Sequence, residues 1–145
     1  MKFEFSAGGV VYKKTPKGNY KIALIKDPFD KWTFPKGLIE KEEKPLEAAE
    51  RECKEELGLS SLEFLEKLAE EEFFYRWPPK SKKPELRKKK VYYFLFRAPS
   101  NSRLKPQLKE IKTAKWFDLN KVINLLGYKT LKPIFEKAKK RIQNG

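Results

Sequence analysis

The chain has 145 residues, with 34 Lys and Arg against 20 Asp and Glu, a formal charge of +14, one cysteine and no histidine. That length specifies a single domain, 1–145, and a lone Cys53 excludes an internal disulfide and fits a reducing, cytoplasmic setting. No apolar run approaches the ~20 residues of a membrane span, and the N-terminus carries no signal-peptide pattern.

In chain order, residues 3–13 and 20–26 are β-rich and flank a hairpin loop at 15–19 that contains Pro16 and Gly18. A helix is predicted from Pro45, placed as a first-turn proline, to just before Gly58, placed as the left-handed residue past the helix end. Residues 61–76 read as extended strand, with Leu62, Phe64, Leu65 and Leu68 leading to Phe73, Phe74 and Tyr75. The segment 77–89 reads as a charged, Pro-containing loop. A buried strand at 91–98, a short one at 114–118, and helices at about 119–127 and 130–143 complete the chain. In the last helix Leu131, Ile134, Phe135, Ala138 and Ile142 recur at helical spacing. This order specifies an α+β fold, an α-β-α sandwich around a mixed sheet.

The most informative stretch is 37–59. Gly37, Glu43, Arg51, Glu52, Glu55, Glu56 and Gly58 stand at fixed offsets, G-x5-E-x7-R-E-C-x-E-E-x-G-L. At about 100° per residue, Glu52, Glu55 and Glu56 share one helix face, while Leu46, Ala49, Cys53 and Leu57 line an adjoining apolar stripe. Like charges at this spacing destabilise a helix by a few tenths of a kcal/mol per pair, and a divalent cation reverses that sign. All candidate ligands are oxygens, which favours a hard ion, Mg²⁺ first with Mn²⁺ as the alternative, and disfavours zinc. A solvated Glu/Lys helix is the plain alternative, but the whole pattern arises by chance in roughly one such chain in a million.

The pattern resembles the Nudix box, the signature of a family that cleaves nucleoside diphosphates linked to another group. Only Cys53 departs from it mildly, standing where an aliphatic residue is usual; it packs as a small hydrophobe and is expected to be inert. The resemblance extends to Trp32–Gly37 (WTFPKG) before the box, to Phe5–Val11 as a first core strand, and to Ala114–Phe117 as a late strand. It implies that Glu55 and Glu56 are the principal metal ligands and that Glu52 is a ligand, a general base, or both. It implies that Glu43 and Arg51 pair and brace the loop and helix. Gly37 is expected to let the loop turn tightly, the Lys36 carbonyl to add a ligand, and Glu110 to be a further acidic ligand or base. Such chemistry suits pyrophosphate hydrolysis: metal ions neutralise and orient the phosphates, and a carboxylate takes the proton from water.

Within that family the local resemblance is to diadenosine tetraphosphate hydrolases, carried by the WTFPKG lead-in, the first strand and Tyr75, a ring on which adenine can stack. Phe73 and Phe74 are read first as strand packing, although either of them or Trp77 could be the platform instead. Lys36 and Lys90 are candidate phosphate contacts, and Tyr93 a second candidate for stacking that alternation does not separate from Tyr92.

The expected activity is Mg²⁺-dependent cleavage of diadenosine tetraphosphate to ATP and AMP. The alternatives are a MutT-like nucleoside triphosphate pyrophosphohydrolase, an RNA 5′-end pyrophosphohydrolase, and, from another class, a non-catalytic nucleotide sensor. The basic balance suits capture of polyanions and equally matches the Lys-rich surfaces of proteins from hot environments. No DNA-binding motif and no RNA-binding motif beyond charge is present. A monomer or homodimer, without a membrane partner, is expected.

Overall fold

The computed structural model describes residues 1–78, 80–106 and 113–145. One sheet organises them. The long strands are β1 (Lys2–Lys14), β2 (Tyr20–Lys26), β5 (Glu63–Trp77) and β6 (Glu85–Arg97). The short ones are β3 (Trp32–Thr33), β4 (Lys36–Leu38) and β7 (Ala114–Asp118). The order runs β3-β2-β1-β6-β5, with β4 also pairing β1 and β7 also pairing β2. β1 and β6 run parallel, Lys2–Tyr12 against Arg87–Arg97, and the other pairings are antiparallel, so the sheet is mixed.

Strand alternation sends side chains to two different layers. On one face Val10, Tyr12, Ile22, Leu24, Val91, Tyr93 and Leu95 pack with Leu119, Val122 and the helix Leu131–Gln143 (α3) through Leu131, Ile134, Phe135 and Ala138. A 3-10 turn at Leu119–Lys121 and a short helix α2 (Val122–Leu125) precede α3. On the other face Ala7, Val11, Ala23, Ile25, Phe94 and Phe96 meet Ala48, Ala49, Cys53 and Leu57 of α1 (Pro45–Leu57). The α-β-α sandwich is therefore borne out, as are the first-turn proline and the left-handed Gly58 at φ 68°. A side chain at Gly58 would also strike the Lys105 carbonyl, 1.6 Å from its β-carbon, so this glycine is fixed by crowding as well as by backbone conformation.

Two expectations need correction. The segment 77–89 is not all loop, because β6 begins at Glu85. Its charged start, Glu85–Lys90, pairs with Lys90-facing Glu72 through Trp77 on one side, and from Arg87 onward with Lys2–Phe5 on the other. Ladder pairing on both flanks overrides the weak strand propensity of consecutive lysines. The helix expected over 119–127 is only the 3-10 turn and the single turn of α2.

Candidate active site

The site grows from the junction of α1 with β4. Arg51 is its brace: Nε donates to Glu43 Oε2 at 2.7 Å and Nη2 to Glu43 Oε1 at 2.9 Å. Nη2 also reaches the Leu38 carbonyl at 3.1 Å, and Nη1 donates to Glu52 Oε1 at 2.8 Å. Glu55 Oε2 stands 3.5 Å from the same guanidinium. The hydrogen bonds from Arg51 hold the Glu43 carboxyl down at about 2. One side chain thus ties the box loop, β4 and the acidic helix face together.

Gly37 has a different purpose from the one expected. It lies within β4 and is not among the described residues with positive φ, so no tight turn needs it. A β-carbon there would sit 2.1 Å from Cδ of Glu52, so glycine leaves the space that the Glu52 carboxylate fills.

Glu56 is 3% exposed, and its Oε2 is buried without a partner. Burial pushes its pKa up to about 9, reinforced by the charge and hydrogen bond of neighbouring Glu52, while the Lys36 backbone N–H works against the shift. Burial likewise pushes the Lys36 ammonium down to about 8, with Lys89 adding repulsion and Glu71, Asp27 and Glu56 opposing it. Among the described residues no three carboxylates already converge as a cage. The donor chemistry nonetheless fits a hard divalent cation: two crowded carboxylates, one with an orphaned buried oxygen, and a third at the rim. Glu52, Glu55 and Glu56 are the residues that would hold it.

From this corner a line of partly buried polar side chains, the candidate cleft, continues along the sheet face that carries Val91 and Tyr93. Register places Ser6, Val91 and Glu71 in one row, Glu4, Lys89 and Phe73 in the next, and Lys2, Arg87 and Tyr75 beyond. Tyr75 donates through its hydroxyl to Glu4 Oε1 at 2.6 Å, and Arg87 Nη1 donates to the same oxygen at 3.0 Å. Burial opposes ionisation of Glu4, but Tyr75, Lys89 and Arg87 together hold its carboxyl below the usual value. Lys36 Nζ lies 5.8 Å from the Phe73 ring centre. Thr130 Oγ1 approaches Glu71 Oε1 at 3.4 Å, and Asp27 accepts a short hydrogen bond from Tyr128, over whose ring Lys31 sits at 4.9 Å.

Buried polar atoms without partners concentrate here. Ser6 Oγ, Glu56 Oε2, Glu71 Oε2, Arg87 Nε and Tyr93 Oη belong to this face or its corner; Thr33 Oγ1 completes the set among the described residues. Each such atom costs about 1–3 kcal/mol when left unpaired, and of these Glu56 Oε2 is the one at the carboxylate corner.

A sequence model of the NUDIX domain matches residues 4–138. The chain belongs to the NUDIX family. Its sequence is 29% identical over 137 residues to an RNA pyrophosphohydrolase of Nitratiruptor, covering 86% of this chain and 84% of that protein. It is 30% identical over 105 residues to the Saccharomyces cerevisiae m7GpppN-mRNA hydrolase, covering 70% of this chain but only 10% of that much longer protein. Among solved structures, a Caenorhabditis elegans Ap4A hydrolase in a binary complex superposes with a TM-score of 0.78 at 25% identity, covering 98% and 99% of the two chains. The Escherichia coli dihydroneopterin triphosphate pyrophosphohydrolase, with a TM-score of 0.69 at 18% identity, shares the fold. This NUDIX protein is thus an enzyme of the pyrophosphohydrolase class, acting on acid anhydrides.

The expected site residues distribute unevenly. Glu43, Arg51, Glu52, Glu55, Glu56, Lys36 and Gly37 converge at the α1–β4 corner, and Tyr75 lines the cleft. Glu110 lies outside the described residues. Lys90 points to the opposite face of the sheet, where its ammonium pairs with Glu70 at 3.3 Å and lies over Tyr92 at 5.2 Å. Tyr93 faces the cleft side but is fully buried in the core against Phe34. Sequence reasoning missed Lys89, Glu71, Arg87, Glu4 and Tyr128. In the lysine run 88–90 only strand register separates the one facing the cleft from its neighbours.

Proposed function

We propose that this NUDIX enzyme hydrolyses a nucleoside polyphosphate, with diadenosine tetraphosphate cleaved to ATP and AMP as the leading reading. The observation that carries it is the order of side chains along this face: a crowded carboxylate corner continues past Lys36, Lys89 and Arg87, the last paired with Glu4, to the half-buried ring of Tyr75. That sequence of chemistries matches a polyphosphate with a base at its end. The similarity to an Ap4A hydrolase over 98% of the chain supports the same reading.

In this reading Glu52, Glu55 and Glu56 would hold a divalent ion, Mg²⁺ first, which would supply charge neutralisation at the phosphates and a more acidic water. The chain's own residues do the rest. Arg51 keeps Glu52 in place against Gly37, where its carboxylate would serve as ligand or proton acceptor. Lys36 and Lys89, poorly solvated and mutually repelling, gain a compensating anion when phosphates lie between them. Tyr75, its hydroxyl fixed by Glu4, offers a ring held at one orientation, and base stacking on such a ring is worth about 1–3 kcal/mol.

A second reading, hydrolysis at an RNA 5′ end, draws on the similarity to the Nitratiruptor RNA pyrophosphohydrolase and on the basic β5–β6 hairpin tip with Lys80, Lys82 and Lys83. A product-resolved assay with Mg²⁺ separates the two, comparing diadenosine tetraphosphate, ADP-ribose, oxidised guanine triphosphate and 5′-triphosphate RNA. Dominant release of ATP and AMP from the dinucleotide is expected. Preference for triphosphate RNA would install the second reading, and binding without turnover of any substrate would overturn both.

A further inference from the structure

We propose that the exposed end of the sheet face opposite the cleft is a docking platform for single-stranded nucleic acid. α1 covers this face only as far as Ala7, Phe94 and Phe96. Beyond it Phe3 and Phe5 of β1 and Phe74 of β5, the two strands that flank β6, stand 58%, 49% and 57% exposed. They are not scattered. Phe3 pairs with Lys88, and Lys88 with Phe74, in one row across β1, β6 and β5. The Lys88 ammonium lies 5.8 Å from the first ring and 5.6 Å from the second. In the next row Phe5 adjoins Lys90. Leu86 and Arg76 extend the face towards the hairpin tip, where Lys80, Lys82 and Lys83 are exposed.

Rings spaced across strands with a lysine between them supply what a single strand needs: flat apolar surfaces for bases and cations for the phosphates that join them. Glu72 and Glu70 hold Lys88 and Lys90 at 3.9 Å and 3.3 Å. Exposed pairs of this kind are worth about 0–1 kcal/mol, so phosphates displace the carboxylates at little cost. A second copy of the chain fits worse. Its charge of +14 sets two such faces against each other, and a stable dimer buries about 1,200–2,000 Å², more than a patch of four apolar side chains offers. The proposal is independent of which polyphosphate the cleft cleaves.

The test is fluorescence anisotropy with an unstructured oligonucleotide bearing a 5′-hydroxyl, as RNA and as DNA, which offers the cleft no polyphosphate. Wild type is compared with Phe3→Ala, Phe74→Ala, the double variant and Lys88→Gln, with turnover of diadenosine tetraphosphate and sedimentation measured in parallel. Both oligonucleotides are expected to bind at about 50 mM salt and to weaken as salt rises. Each lost ring should weaken binding about 5- to 100-fold, with turnover unchanged. Absence of wild-type binding, or equal binding by the double variant, overturns the proposal. So does a wild-type dimer that the double variant dissolves, which would assign the face to a second copy.

Discussion

Arg51 grips both carboxylate oxygens of Glu43, at 2.7 Å and 2.9 Å, across the loop that opens α1. The pair is short, forked and largely shielded, with side-chain exposures of 25% and 15%. It differs in this from most surface ion pairs, which contribute little. Its position matters as much as its energy, because the same guanidinium holds Glu52.

Glu43→Gln should therefore destabilise the protein at pH 7 by about 1–2 kcal/mol, as charge-assisted hydrogen bonds are lost. The sign of its pH dependence follows from the depressed Glu43 carboxyl, at about 2 in the folded chain. The stabilisation is complete above the ordinary carboxylate range near 4.5 and drains away as pH falls from there through about 2. Denaturant melts of both proteins across that window should converge at the acid end. A gap that stays constant with pH would remove the ion pair as its cause.

Glu56→Gln tests the cation site by stability rather than turnover. The buried oxygen is costly beside Glu52, so the variant should fold at least as stably as wild type in chelator. Mg²⁺ should raise the melting temperature of wild type by several degrees at saturation, as ligand linkage requires, and raise that of the variant far less. Equal Mg²⁺ shifts would place the ion elsewhere.

Neighbouring lysines should part company. Lys89→Met should raise KM for a polyphosphate substrate about 10- to 100-fold, since Lys89 faces Lys36 and Glu56. Lys90→Met should change KM less than twofold, because Lys90 pairs with Glu70 on the other face. Steady-state kinetics on the two variants decides it, and the reverse ranking would mean that the strand register does not position the phosphates.

Tyr75→Ala should raise KM for a dinucleotide about 5- to 100-fold with a smaller effect on kcat, if the ring carries a base. Tyr75→Phe keeps the ring and loses only the bond to Glu4, so it should stay close to wild type. Similar losses in both variants would show that the hydroxyl, not the ring, is what the cleft uses.

The sequence alone specified which residues meet at the corner. Arg51, Glu52, Glu55 and Glu56 are held by one helix and Glu43 by its lead-in loop, so their spacing is already most of their geometry. Helical periodicity likewise marked the buried face of α3, Leu131, Ile134, Phe135, Ala138 and Ile142, because that signal is local. The tertiary structure decided whatever depends on pairing between distant strands. Lys89 faces the cleft and Lys90 does not because β6 lies in register between β1 and β5, and a shift of one residue would exchange them. Glu4 meets Tyr75 and Arg87 across separations of 71 and 83 residues, which no sequence spacing could predict. Gly37 belongs to both accounts. Its identity was legible as part of a motif, but only packing showed that its missing side chain makes room for Glu52.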